Sequence, residues 1–126
     1  MKTSNFKELA VWQKSMNLAV EIYDLIRRLP PDERYGLSDQ IRRSTVSIPS
    51  NIAEGHARNT AKEFLRFLSI SRGSAAELQT QLILSTKIGY LTEETSNPLI
   101  QEIVEIDKML CGLMRFIKSK HQQSDN

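Results

Sequence analysis

QIRRSTVSIPSNIAEGHARNT, residues 40–60, is the stretch on which the fold turns. Its apolar positions recur at three and four: Ile41, Thr45, Ile48 and Ile52 share one side of a helical wheel, and Leu37 extends the row upstream. Yet Pro49 stands in the middle. A proline inside a helix has no amide to donate, and its ring crowds the carbonyl four residues earlier, here that of Thr45. The cost is ~3 kcal/mol in a helix interior. A kink over residues 45–49 is therefore expected, with the hydroxyls of Thr45, Ser47 and Ser50 near enough to satisfy freed backbone groups. The helix should run over Leu37–Glu54, and Gly55 is placed for a left-handed stop.

The flanking sequence extends the same pattern. Upstream, Asn5 and Glu8 can box the start of a first helix over Phe6–Arg28, which Pro30-Pro31 ends. Leu9, Trp12, Met16, Ala19, Tyr23 and Ile26 give its core seam, and a second apolar row runs beside it. Lys14, Asn17, Glu21, Asp24 and Arg28 make the polar sector. Downstream, Thr60 and Glu63 form a capping box for a third helix reaching Ile88, closed by Gly89. Its seam is Phe64, Leu68, Ser71, Ala75, Leu78 and Leu82. A fourth helix follows over Pro98–Lys118, or from Thr92, with Leu99, Ile103, Ile106, Leu110, Leu113 and Ile117 inward. Short connections predict an all-α fold, an antiparallel up-down-up-down four-helix bundle with helix two kinked at Pro49. Residues 1–5 read as an N-terminal arm, 6–118 as the bundle domain and 119–126 as a disordered C-terminal tail.

Composition agrees with this and narrows function. The chain has 126 residues, 40% apolar and 25% charged, which suits one soluble domain. With one cysteine, Cys111, no internal disulfide forms, and a reducing cytoplasm is expected. One Cys and two His argue against a metal site, and no cofactor motif is present. The N-terminus has no uninterrupted apolar run of a signal peptide, and no uncharged stretch approaches membrane-spanning length.

Two helices carry more apolar surface than a bundle helix needs. On helix one the surplus row is Val11, Leu18, Ile22, Leu25 and Leu29; on helix three the flank is Phe67, Ile70, Leu84 and Ile88. Large exposed apolar patches mark interfaces, so Val11, Leu18, Ile22, Leu25, Phe67, Ile70, Leu84 and Ile88 are the expected oligomer contacts.

The net charge of +2 does not announce a nucleic-acid binder; only local clustering can. Arg58, Lys62 and Arg66 follow one another at spacings of four, and Arg43 is expected to approach them across the turn between helices two and three. Arg42 points sideways, toward an interhelical or intersubunit contact. Such a row would hold phosphates without reading bases, so RNA or DNA is the partner it admits. The competing reading is ordinary surface arginines paired with Asp39 or Glu54.

YGLSDQIRRSTVSIPSNIAEG (35–55), FLRFLSISRGSAAELQTQL (64–82) and FKELAVWQKSMNLAVEIYDL (6–25) resemble the four-helix bundle proteins encoded in intervening sequences of bacterial 23S ribosomal RNA genes. The resemblance covers about residues 6–118, and it extends to the accessory variability proteins of diversity-generating retroelements. It implies an antiparallel bundle that assembles into a ring, typically a homopentamer, with no established enzymatic activity. For the retroelement relatives it implies binding of nucleic acid and of a reverse transcriptase through basic residues; here Arg42, Arg43, Arg58, Lys62 and Arg66 would inherit that role. A reverse transcriptase is implied as partner only for a chain encoded beside one.

Chemistry has little to work with. Glu54-Gly55-His56 is too few ligands for a metal. Cys111 reads as a buried structural thiol. Gly73 in SRGSAAEL is expected to permit close helix approach, not to cradle phosphate. Trp12, Phe64 and Phe67 read as core or interface aromatics. Arg115 and His121 loosely resemble the Arg-plus-His signature of helical HEPN ribonucleases, at one residue more than the usual spacing. The chain is thus expected to be a non-enzymatic, homo-oligomeric binding or scaffolding module; a HEPN-like ribonuclease and an oligomeric adaptor for a protein partner without nucleic acid are the alternatives.

Overall fold

The computed structural model describes residues 5–125, with side chains as far as His121. Four helices carry the fold: α1 (Ala10–Ile26), α2 (Leu37–Ala57), α3 (Ala61–Lys87) and α4 (Glu93–Asp125). Short 3-10 turns at Phe6–Glu8 and Pro31–Glu33 precede α1 and α2. The start of α1 is later than expected because Asn5 caps the short turn instead, accepting from the Lys7 amide at 2.9 Å. The capping box of α3 forms as read: Thr60 Oγ1 accepts the Glu63 amide at 3.1 Å. Helix α4 begins at Glu93 and runs on to Asp125, so residues 119–125 continue the helix where a disordered tail was expected. Residues 1–4 and 126 lie outside the described part.

Cross-helix hydrogen bonds set the directions. Between α2 and α3, Ser71 bonds Ile48, Ser74 bonds Ser47 and Gln81 bonds Ser44, so numbering rises on one helix as it falls on the other. Thr86–Ser96 and Arg72–Asp107 show the same for α3 and α4, and Arg28–Thr95 and Lys14–Glu105 for α1 and α4. Each helix packs on its two neighbours in the order α1, α2, α3, α4, closing the bundle.

The α2 seam sits inward as read: Leu37, Ile41, Thr45, Ile48 and Ile52 are all buried. Helix α2 continues through Pro49, whose ring is itself buried. Thr45 Oγ1 turns back to the Ile41 carbonyl at 2.7 Å. Gly55 is not a stop; the helix passes through it to Ala57, and the only positive-φ residue among those described is Gly89, which does end α3. A Cβ on Gly55 would lie 2.7 Å from the Phe67 Cβ and 3.3 Å from the Phe64 carbonyl oxygen. Gly55 therefore permits the close α2–α3 approach assigned to Gly73, while a Cβ on Gly73 meets nothing within 4 Å.

Helix α1 is rotated about its axis relative to the expectation. Val11, Leu18, Ile22 and Leu25, expected to be free for another copy, are buried in the single chain, as is Phe67. Met16 and Tyr23, expected in the core, are exposed, and Val20 beside them is 72% exposed. Both rows have helical spacing, so periodicity alone could not choose between them. The polar side chains did: Lys14 reaches Glu105 at 3.2 Å and Arg28 reaches Thr95, which turns the polar flank toward α4 and the Leu/Ile row inward. Of the eight expected interface residues only Ile70, Leu84 and Ile88 are exposed.

Candidate nucleic-acid interface

The five basic residues fall into two groups. Arg42 and Arg43 lie sixteen and fifteen residues before Arg58, the C-cap of the same helix, roughly 22–24 Å away at about 1.5 Å per residue. Arg43 therefore does not approach the turn between α2 and α3, contrary to the expectation, because α2 continues as helix through Pro49 and keeps the two ends apart.

In the first group one carboxylate serves two cations. Arg43 Nε donates to Asp39 Oδ2 at 2.9 Å, and Arg42 lies 3.8 Å from Asp39 Oδ1. Arg42 also donates to the Arg34 carbonyl at 3.3 Å, tying α2 to the turn before it. The Arg43 side chain is 80% exposed. These residues border an open groove of about 550 Å³ that Tyr23, Val46, Ser47, Ser50 and Asn51 also line.

In the second group the turn from α2 to α3 brings Arg58 and Arg66 onto one ring, with Lys62 in the first turn of α3. The guanidinium carbons of Arg58 and Arg66 sit 4.9 and 4.5 Å from the centroid of Phe67. Cations over an aromatic face are held by its quadrupole as well as by charge. Arg58 pairs with Glu54 at 2.8 Å, and Arg66 with Glu63 at 3.2 and 3.3 Å. The Arg66 hydrogen bond holds the Glu63 carboxyl below its ordinary range, with the charges of Arg58 and Lys62 adding to it. Arg66 is held above its ordinary value by that bond and, further off, by Glu54. Lys62 is exposed, with no ion pair among the described residues. Three cations against two carboxylates leave the corner weakly positive. A phosphate arriving there meets guanidiniums already oriented, but must compete with carboxylates for them.

Sequence reading missed Phe67 as the platform. The signal was available in Gly55: a glycine in mid-helix with no turn to make marks a place where something bulky comes close. His56 stacks edge-on against Phe64, centroids 5.8 Å apart, as part of the same packed corner.

The residues read as candidate nuclease groups both lie on α4. Arg115 and His121 are six residues apart on α4, ~9 Å along the axis and about a third of a turn apart in direction. Cys111 is half-buried, beside the Arg72–Asp107 pair, where full burial was expected. Among the described residues no group of three or more His, Cys, Asp or Glu side chains is placed to hold a metal, and no helix is long and apolar enough to cross a membrane.

Comparison with known proteins places this geometry. Residues 7–112 match the family model described as 23S rRNA-intervening sequence protein. No curated protein matches the chain. Among solved structures, the chain is similar to a protein with unknown function from the S23 ribosomal protein family of Bacteroides thetaiotaomicron VPI-5482. The two are 30% identical, with a TM-score of 0.78 over 83% of this chain and 98% of that one.

Proposed function

The chain belongs to the 23S rRNA-intervening sequence protein family, and from that premise we propose that it is a non-enzymatic scaffold, a helical bundle that self-assembles and presents its outer surface to a partner. The observation that supports this is the set of large apolar side chains left on the outside of a well-filled bundle: Met16, Val20 and Tyr23 on α1, Val46 on α2, and Ile70, Leu84 and Ile88 on α3. Three of them lie within two turns of α1, and a monomer gains nothing from wetting them. The ring of five follows from the family resemblance, and a closed ring needs two complementary surfaces on each copy, for which exposed apolar side chains of this kind are suited. Light scattering is the test. A particle of five times 14.4 kDa is expected, and a 14.4 kDa particle at tens of micromolar would remove the assembly.

A second reading, that the scaffold also binds RNA or DNA, is favoured by one feature, the corner where Arg58 and Arg66 sit over Phe67 and Lys62 follows in the first turn of α3. Binding there would be electrostatic and indifferent to sequence, so its affinity falls steeply with salt. Replacing Lys62 with Ala should lower the salt slope by about one. Unchanged mobility of structured RNA and duplex DNA at micromolar protein and low salt would exclude nucleic acid and leave the adaptor for a protein partner. A reverse transcriptase enters as partner only for a copy encoded beside one.

A further inference from the structure

Among the exposed apolar residues, two groups stand on separate helices of one chain. The first is on α1, where Met16, Val20 and Tyr23 follow at intervals of four and three, the spacing of a seam between packed helices. The second is on α3, where Ile70 and Leu84 stand two heptads apart on one side, with Glu77 midway and Gly73 next to it. Gly73 is otherwise unexplained. It is exposed in mid-helix, where glycine is destabilising relative to Ala, and no neighbour in the chain requires it. On this face it is a notch between two aliphatic knobs.

Direction, height and charge suit the two faces to each other. Alternation of direction makes α1 and α3 parallel within a chain, and in a closed ring neighbouring copies all point the same way. Helix α1 of one copy would thus meet α3 of the next in parallel. Arg28–Thr95 and Thr86–Ser96 set one end, and Lys14–Glu105 and Arg72–Asp107 the other, so residues 14–28 of α1 lie level with 72–86 of α3. The seam on α1 is therefore at the height of Gly73, Glu77 and Leu84. Beside the α1 face, Arg42 and Arg43 share the single carboxylate of Asp39, leaving a cation in excess. On the α3 face Glu77 has no ion pair among the described residues.

We propose that the α1 face of each copy docks head to tail on the α3 face of the next, with an α1 side chain seated in the notch at Gly73. This rests on the self-assembly argued above and specifies its surfaces. A head-to-tail contact uses two different patches, unlike a two-fold contact, which pairs a patch with itself.

The experiment blocks one face at a time. Tyr23→Arg spoils the α1 face and Leu84→Arg the α3 face; both positions are exposed, and Val20→Arg serves as a second α1 block, each variant being checked for an unchanged circular dichroism melt. Light scattering should give an oligomer for the unaltered chain and 14.4 kDa for each variant alone. An equimolar mixture of Tyr23→Arg and Leu84→Arg should give a particle of twice that mass, since each supplies the face the other lacks. An oligomeric unaltered chain whose variants still assemble, or whose mixture stays at 14.4 kDa, overturns the head-to-tail faces and leaves self-assembly standing. A monomeric unaltered chain overturns both.

Discussion

The Tyr90 hydroxyl donates to one carboxylate oxygen of Glu33 at 2.9 Å, while the other oxygen of the same carboxylate accepts the Leu37 amide at 3.0 Å. One side chain thus caps α2 and joins the turn before it to the turn after α3. Gly36, at the N-cap, has no side chain to do this, and a Cβ there would lie 2.8 Å from Glu33 Oε1, so its lack of one is what lets Glu33 reach in. Two amide and phenol donors favour the charged carboxylate, as does its place at a helix N-terminus.

The first prediction follows from that pair. The Leu37 amide, then the Tyr90 hydroxyl, hold the Glu33 carboxyl below its ordinary value of 4.5. Its contribution to stability is present above about pH 4.5 and is lost as pH falls through the lowered folded value. The same bond raises the Tyr90 phenol above 10.0, so the phenol's contribution is present below that pH and disappears as pH rises through the folded value. Tyr90→Phe should lower the melting temperature between pH 5 and 9, a range set by those ordinary values, and converge on the unaltered chain at the acid end. A constant offset at every pH would show that the charge of Glu33 adds nothing to the bond.

Gly55→Ala is the second. The added carbon would meet the Phe67 Cβ at 2.7 Å and backbone of Phe64 at 3.3 Å, neither of which can swing aside. The helices must part, at a cost of about 1–3 kcal/mol for overpacking. The urea midpoint should fall with an unchanged slope. Since Phe67 carries Arg58 and Arg66, any nucleic-acid affinity of that corner should fall with it.

The helices and their order were legible because each carries its own period, cap or stop: Thr60–Glu63 at one end of α3 and Gly89 at the other were readable letter by letter. The rotation of α1 was not. Leu18 and Met16 belong to rows equally suited to a core, and the choice fell to Lys14 and Arg28, whose partners Glu105 and Thr95 are distant in sequence. The two glycines were read in reverse for a related reason. Close approach at Gly55 depends on Phe67 arriving from another helix, which no local pattern announces. For the candidate site, Arg58, Lys62 and Arg66 were found by spacing, but their platform and their carboxylates were not.

Ser71 supplies the third prediction. Its hydroxyl donates at 2.9 Å to the Ile48 carbonyl, one residue before Pro49, and both residues are fully buried. Ser71→Ala removes the donor from a tight seam and should cost about 1 kcal/mol, the usual net worth of such a bond. Ser71→Val would press a methyl on that carbonyl and cost more. Equal midpoints for Ala and unaltered protein in urea would show that the bond plays no part in joining α2 to α3.

The last concerns the acidic side of α1 and α4. Burial raises the Glu102 carboxyl above its ordinary value of 4.5; the charge and hydrogen bond of Glu21 push it the same way, Lys14 opposes, and Glu105 adds a little. Lys14 is engaged with Glu105 at 3.2 Å, so it neutralises Glu102 only in part. A carboxyl with a raised folded pKa binds its proton more tightly in the native chain than in the unfolded one. Its contribution to stability is full below about pH 4.5 and is lost as pH rises through the folded value. At neutral pH the cluster is therefore a net strain. Glu102→Gln keeps the shape and removes the charge, so its melting temperature should exceed that of the unaltered chain at pH 7 and the gap should close on acidification. Lys14→Gln should shift the melt the other way at pH 7, since it leaves three carboxylates facing one another. A Glu102→Gln melt below the unaltered one at pH 7 would mean that Lys14 outweighs both neighbouring carboxylates there.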